Sequence, residues 1–213
     1  MFETQWIIAA ASIVFAAVAL LVQFLIAKSG GRKDYSVQAG SPGKGIIYNF
    51  TVAMTPAHKE SVSLHPVKFL IGIAMHFGVF AVIAKVFLLL AIADLQPCCP
   101  LVVGSFFIFS ATCAVFLFLR RIFDRELRFM SSPEDYLSVL ATTGFIAAAF
   151  LHEFAIIDTS LFFVCTAVVF FYIPLGKLRH AIFFFAARID YGSRLGYRGT
   201  YPATNCASNG EKG

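Results

Sequence analysis

Charged residues are scarce in this chain, where Asp, Glu, Lys and Arg together make up 14% of the 213 residues. A soluble domain covers its apolar core with a polar shell, and this composition cannot supply one. The sequence also lacks a glycine-rich phosphate loop, a Ser-His-Asp arrangement and an internal repeat, and its five cysteines form neither a CxxC nor a zinc pattern. These absences argue against a soluble catalytic or nucleotide-binding domain.

Apolar residues make up 59% of the chain, including 25 phenylalanines, and they are gathered in long blocks. About 20 apolar residues are needed to cross the ~30 Å hydrocarbon core of a bilayer. The blocks of that length are 6–27, 67–93, 101–119, 137–157 and 160–186. We therefore expect an all-α membrane protein in which five transmembrane helices form a helical bundle. The expected division is a transmembrane domain over 1–190, with a cytoplasmic loop at 28–66, and a partly disordered cytoplasmic tail at 191–213.

Lysine and arginine predict the orientation of the helices. They are concentrated in 28–68, in 120–136 and in the tail, whereas 94–100 and 152–160 contain none. By the positive-inside rule, the N-terminus lies outside and the C-terminus lies in the cytoplasm. The net charge of +5 then reflects orientation in the membrane, and no recognition motif indicates nucleic-acid binding.

Two histidines interrupt apolar runs, His76 in "GIAMHFGVF" (72–80) and His180 in "GKLRHAIFFF" (176–185). Both are expected in the inner half of the bilayer, on different helices. A polar side chain at such a place is energetically unfavourable and marks either a function or a hydrogen bond to a neighbouring helix.

The neighbours of both histidines favour the functional interpretation. Each has a glycine four residues before it and a phenylalanine four residues after it, on the same helical face. A porphyrin needs a flat slot with aromatic walls, and two imidazoles from two helices can hold its iron. The pattern predicts haem b with His76 and His180 as iron ligands. The predicted pocket residues are Gly72, Phe80, Gly176 and Phe184.

Two basic residues flank the second histidine. Lys177 and Arg179 could meet the haem propionates at the cytoplasmic interface. They fit equally well as ordinary interfacial residues whose charged ends reach water.

Two segments carry a resemblance to a known family, "MTPAHKESVSLHPVKFLIGIAMHFGVF" (54–80) and "IPLGKLRHAIFFFAARIDYGSRLGYRG" (173–199). The chain resembles the cytochrome b, or gamma, subunit of respiratory nitrate reductase. It is more similar still to the membrane haem b subunits found beside iron–sulfur subunits of the heterodisulfide-reductase kind.

The resemblance implies a cytochrome b domain in the cytoplasmic membrane of a prokaryote, exchanging electrons between the quinone pool and a partner's iron–sulfur clusters. That partner would be an iron–sulfur subunit of the heterodisulfide-reductase or nitrate-reductase-beta kind. The other expected contacts are membrane lipid and the quinone. The chain would then be one subunit of a respiratory oxidoreductase complex, since it contains no cluster motif of its own.

The chain departs from the di-haem members of that family, which have two histidines on each ligand helix. Val86 and Phe162 stand where the outer-haem ligands would be, and neither side chain has a lone pair for iron. One haem is therefore the favoured prediction.

A second register keeps two haems. It pairs His65 with His180, and His76 with His152. The depths of the last two histidines in their helices differ, so that register requires helix tilt.

Polar residues also occur in the expected outer half of the bundle. Lys85, His152 and Glu153 are candidates for contact with a quinone or for proton transfer. The alternatives for Lys85 are pairing with Glu153 and reaching the outer interface. The rival function class is a non-redox transmembrane scaffold or transporter subunit, whose histidines only join helices.

Overall fold

A computed structural model describes residues 2–30, 40–55, 65–92 and 99–195. Every regular element in these ranges is helical. The α-helices are α1 (Phe2–Ser29), α2 (Pro42–Phe50), α3 (Pro66–Ala91), α4 (Pro100–Phe123), α5 (Arg125–Met130), α6 (Pro133–Glu153), α7 (Thr159–Leu175) and α8 (His180–Leu195).

Within the described residues, four helices, α1, α3, α4 and α6, are long and apolar enough to cross a membrane, and α7 with the helix after it forms a fifth span if the bent pair is counted as one. The described part of the chain is therefore all-helical, with several helices that could cross a membrane, as predicted. Proline begins α3, α4 and α6. A proline at this position costs the helix no backbone hydrogen bond, because the first N–H groups of a helix have no partner within the helix.

The fifth predicted span, 160–186, is not one continuous helix. Helix α7 ends at Leu175, Gly176 has an extended backbone (φ −105°, ψ −170°), and a 3₁₀ turn at Lys177–Arg179 precedes α8. Pro174 lies in the last turn of α7, and proline followed closely by glycine disfavours continuation of a helix. The prediction that Gly176 and His180 share a helical face is therefore wrong.

Other boundaries differ from the prediction by smaller amounts. Helix α6 begins at Pro133 rather than at 137. Its start is capped by Asp135, whose carboxylate accepts a hydrogen bond from the backbone N–H of Ser132 (2.9 Å). Helix α2 lies inside the expected loop 28–66, and α8 continues to Leu195, past the expected domain boundary at 190. Residues 196–213 of the predicted tail lie outside the described residues.

The chain divides into two compact units, of which the first contains residues 1–22 and 67–179. In this unit α4 packs along α6, and α6 packs along α7. Its fully buried side chains include Val82, Phe107, Ile146 and Phe162. Helices α3 and α4 approach closely because Gly78 faces Ser110, and a Cβ at Gly78 would lie 2.8 Å from Ser110 Oγ.

The second unit contains residues 23–66 and 180–213, and its described core is the pair α2 and α8. A Cβ on Gly192 would lie 2.6 Å from both N and Cα of Ile46, so the two backbones are nearly in contact. The rings of Phe50 and Phe185 stack with centroids 6.0 Å apart. Backbone proximity and aromatic stacking thus hold two short helices together.

Candidate functional site

The imidazole of His76 is exposed on α3 and bonds to its own helix. Its Nδ1 lies 2.7 Å from the carbonyl oxygen of Gly72. A carbonyl can only accept a hydrogen bond, so Nδ1 carries a hydrogen, and in the neutral imidazole Nε2 then has the lone pair. The expected alternative, a hydrogen bond to a neighbouring helix, is not what the structure gives His76.

The face of α3 around His76 is open. Gly72, His76 and Phe80 belong to the same helix, as predicted, and a Cβ at Gly72 would meet nothing within 4 Å. Phe80 is 56% exposed, so its ring lies on the surface beside the histidine. Glycine, imidazole and aromatic ring therefore form one stripe, with the free Nε2 in its centre.

The surroundings of the second histidine differ from those expected. His180 is the exposed first residue of α8, in the second unit. The space beside Gly176 is filled by the ring of Tyr172, whose hydroxyl oxygen would lie 2.6 Å from a Cβ at that glycine. Gly176 therefore leaves no slot for a ring ligand, which corrects its assignment to the pocket. Phe184 lies in α8, 37% exposed.

Of the two candidate propionate residues, Lys177 has a protein partner. Its ammonium group donates to the Asp135 carboxylate (2.7 Å) and to Ser132 Oγ (2.9 Å). Arg179 is exposed in the 3₁₀ turn. Sequence reasoning missed Asp135 as the partner of Lys177, although the Ser-x-x-Asp pattern at residues 132–135 is typical of a helix start and places a carboxylate there.

At the other end of the same unit, Lys85 of α3 forms an ion pair with Glu153 of α6. The side chains are 11% and 5% exposed, so the pair is buried among apolar groups. The Lys85 ammonium lies 3.4 Å from the Ala149 carbonyl oxygen, 5.6 Å from the ring centre of Phe107 and 5.8 Å from that of Phe162. Pairing with Glu153 is thus the alternative that the structure confirms for Lys85.

His152 lies beside this pair, half-buried at the end of α6. Its Nε2 is 3.1 Å from Thr159 Oγ1, and its ring lies 4.9 Å from that of Phe162. Its Nδ1 is buried and has no hydrogen-bond partner among the described residues. The structure therefore brings Lys85, Glu153 and His152, the three polar candidates from the sequence, together near Phe162.

The two positions aligned with outer-haem ligands are filled by protein. Val86 and Phe162 are both 0% exposed and belong to the core of the first unit. His65, the ligand of the second register, is exposed immediately before α3. In the part of the chain that the structure describes, no three His, Cys, Asp or Glu side chains are grouped so as to hold a metal ion.

These observations define a class, an all-helical protein with four to five helices that could span a membrane. Comparison of the chain with family models, curated proteins and solved structures gave no match. The resemblance to the cytochrome b subunits therefore stays a prediction from the segments 54–80 and 173–199.

Proposed function

We propose that this chain is a membrane-anchoring haem b subunit, which exchanges electrons between the membrane quinone pool and the iron–sulfur clusters of a partner subunit. The observation that carries the proposal is His76, an imidazole on an apolar surface with Nδ1 bonded to a backbone carbonyl at 2.7 Å. Histidines that ligate metals characteristically donate their second ring N–H in this way. The bond fixes the ring and directs the Nε2 lone pair away from its own helix.

The residues around His76 suit a flat ring. Gly72 leaves open space on the same face, and Phe80 supplies an exposed aromatic wall. The second ligand in the proposal is His180, and Arg179 is the propionate partner that remains after Lys177 pairs with Asp135. Haem b held by two imidazoles carries one electron at a time and has no open position for oxygen chemistry.

The packing favours one haem rather than two. In the two-haem register His152 would bind iron, but its Nε2 bonds to Thr159 and its Nδ1 is enclosed by protein atoms. Val86 and Phe162, at the positions aligned with the family's outer-haem ligands, fill the core with protein side chains. Binding iron at His152 would therefore require α6 and α7 to separate.

The polar group at the far end of the bundle supports a role in quinone chemistry. Oxidation of a quinol releases two electrons and two protons, so a proton acceptor is needed beside the ring. Lys85 and Glu153 neutralise each other, whereas the enclosed Nδ1 of His152 has no hydrogen-bond partner among the described residues; proton exchange through it requires the packing around the ring to open. We therefore assign proton exchange to His152 and a supporting electrostatic role to the ion pair.

The test is the haem content of the purified full chain, measured as haem per polypeptide together with the reduced-minus-oxidised spectrum. We expect one haem in the wild type, none in His76→Ala or His180→Ala, and unchanged content in the control His65→Ala. Insertion into the membrane should be the same in all variants, because hydropathy drives it.

A colourless wild-type chain would overturn the proposal and favour the scaffold or transporter alternative. Loss of half the haem in His65→Ala or in His152→Ala would instead establish the two-haem register. In the one-haem arrangement His152→Ala keeps its haem and slows quinol oxidation.

A further inference from the structure

The segment that joins α4 to α6 exposes unusually large apolar side chains. Phe123, Phe129 and Met130 are 77%, 93% and 80% exposed, more than any other large apolar residue among those the structure describes. They do not lie along the middle of a membrane-spanning helix, where exposure to lipid is expected. They lie at the end of α4 and in the last turn of the short helix α5, at the end of the bundle that carries Arg121 and Asp135.

The four arginines in the last turn of α4 and in α5 fall into two groups. Arg120 lies 3.7 Å from the Asp124 carboxylate, and Arg121 lies 2.9 Å from Ser131 Oγ and 3.6 Å from Asp135. Arg125 and Arg128 are exposed, and no carboxylate pairs with either one within the described ranges. Two guanidinium groups at this end of the bundle are therefore not neutralised by any carboxylate in the described part of the chain.

These two arginines belong to one site. They are three residues apart on α5 and therefore project from the same side of the helix. Together with Glu126 and Phe129 they line an open cavity of about 520 Å³. The cavity therefore combines two positive groups, one negative group and an aromatic ring.

We propose that this cavity binds the headgroup of a phospholipid that carries both a phosphate and a primary ammonium, as phosphatidylethanolamine does. The guanidinium groups of Arg125 and Arg128 donate to the phosphate oxygens, a geometry that arginine suits well. The Glu126 carboxylate accepts from the ammonium group. Phe129 and Met130 enter the boundary of the acyl chains, where aromatic and basic residues together anchor a segment.

A lipid suits the site better than a soluble partner for two reasons. Helix α5 is connected to α4 by Asp124 alone and to α6 by residues 131–132, so it cannot move far from the membrane edge. The exposed rings of Phe123 and Phe129 would otherwise face water. The cavity also contains one carboxylate, that of Glu126. This carboxylate can bind the ammonium group of a zwitterionic headgroup, whereas a purely anionic headgroup offers it no positive group.

The experiment measures lipid binding to the delipidated full chain by native mass spectrometry, with phosphatidylethanolamine, phosphatidylglycerol and phosphatidylcholine as probes. We expect tighter binding of phosphatidylethanolamine than of the other two. Arg125→Ala with Arg128→Ala should weaken that binding by roughly tenfold or more, because charge-assisted hydrogen bonds to the phosphate are lost. Arg120→Gln is the matched control and should bind as the wild type does.

Glu126→Gln tests the contact with the ammonium group separately from the contact with the phosphate. It should keep binding through the phosphate and lose the preference for phosphatidylethanolamine over phosphatidylglycerol. Excess inorganic phosphate should not displace the lipid, since a free ion makes no contact with Phe129 and Met130; displacement would mean a phosphate site without lipid specificity and would overturn the proposal.

Equal binding of all three lipids, or equal binding by wild type and the double-arginine variant, would also overturn it and leave the surface to a protein partner. Helix content measured by circular dichroism shows whether each variant is folded. Haem content should be the same in all of them, so the lipid proposal and the haem proposal fail independently.

Discussion

Lys85 and His76 are two polar side chains on the same apolar helix, and they satisfy their hydrogen-bonding groups in opposite ways. Lys85 reaches across the bundle to Glu153 and to the carbonyl of Ala149. His76 turns back to the carbonyl of Gly72, one helical turn away. The lysine is therefore committed to joining two helices, whereas the histidine keeps one ring nitrogen available for a ligand.

Removal of one partner of the buried ion pair should strongly destabilise the first unit. Lys85→Met or Glu153→Gln leaves an uncompensated or poorly paired polar group in an apolar interior, with a loss of about 3–5 kcal/mol expected for such a pair. The double variant Lys85→Met with Glu153→Gln should recover much of that loss. The measurement is the free energy of unfolding in detergent or bicelles.

The exposed pair Asp190–Arg194 is the control for this cycle. It joins residues one turn apart on a helix surface, so Asp190→Asn should cost no more than about 0.5 kcal/mol. If the effects of Lys85→Met and Glu153→Gln simply add in the double variant, the two side chains do not stabilise each other.

A substitution at Gly72 tests whether the open space beside this residue holds the haem. Since a Cβ there meets nothing within 4 Å, Gly72→Leu should leave the fold unchanged, yet its side chain would occupy the proposed haem slot. Haem per polypeptide should fall sharply. Gly144 of α6 is a second helical glycine with equally open surroundings, so Gly144→Leu should keep its haem. Full haem in Gly72→Leu would remove Gly72 from the pocket.

At the scale of elements, the sequence predicts apolar blocks better than it predicts continuous helices. Block 160–186 is apolar throughout, and hydropathy does not depend on whether its backbone continues as a helix. The break follows from Pro174 and Gly176, two residues that contribute little to a hydropathy average. Helix α2 was missed for a different reason, since a nine-residue helix is marginal alone and is stabilised by packing against α8.

Gly192→Ala should disrupt the pairing of α2 with α8. Its Cβ would lie 2.6 Å from the Ile46 backbone, which cannot yield as a flexible side chain can. Hydrogen exchange of the amides in α2 and α8 should become faster. Gly43→Ala provides the control, because Gly43 also lies in α2 and a Cβ there meets nothing within 4 Å. Unchanged exchange in Gly192→Ala would show that the helices can separate without loss of order.

At the scale of the whole molecule, contacts within the first unit are those of helices that cross in alternating directions. The start of α1 meets the end of α3, where the Trp6 indole N–H donates to the Leu90 carbonyl oxygen (3.2 Å). The start of α4 meets the end of α6, where the ring of Phe154 fills the space beside Gly104. The alternating directions were predictable, because each apolar block crosses the bilayer once and the next block must cross back.

The pairing of Lys85 with Glu153 could not be chosen from the sequence over its alternative. Which side chains meet depends on how each helix is rotated about its axis, and the spacing along the chain does not fix that rotation.

Which end faces the cytoplasm is a prediction from the basic residues, and cysteine labelling tests it. In a background without native cysteines, Glu134→Cys should react with an impermeant thiol reagent only in inverted vesicles. Ile156→Cys, in a link without Lys or Arg, should react only in intact cells; Ile156 is 65% exposed, so access is not limited by burial. The reverse pattern would invert the topology.

The pairing of α2 with α8 also sets an order of events during synthesis. Residues 51–179 must be made after α2 before the first residue of its partner exists. At typical rates of translation this takes on the order of ten seconds. During that interval the bundle helices enter the membrane one after another, while α2 has no α8 to pack against. Assembly of the second unit is therefore a late event, which begins only when the helices of the bundle have already left the ribosome.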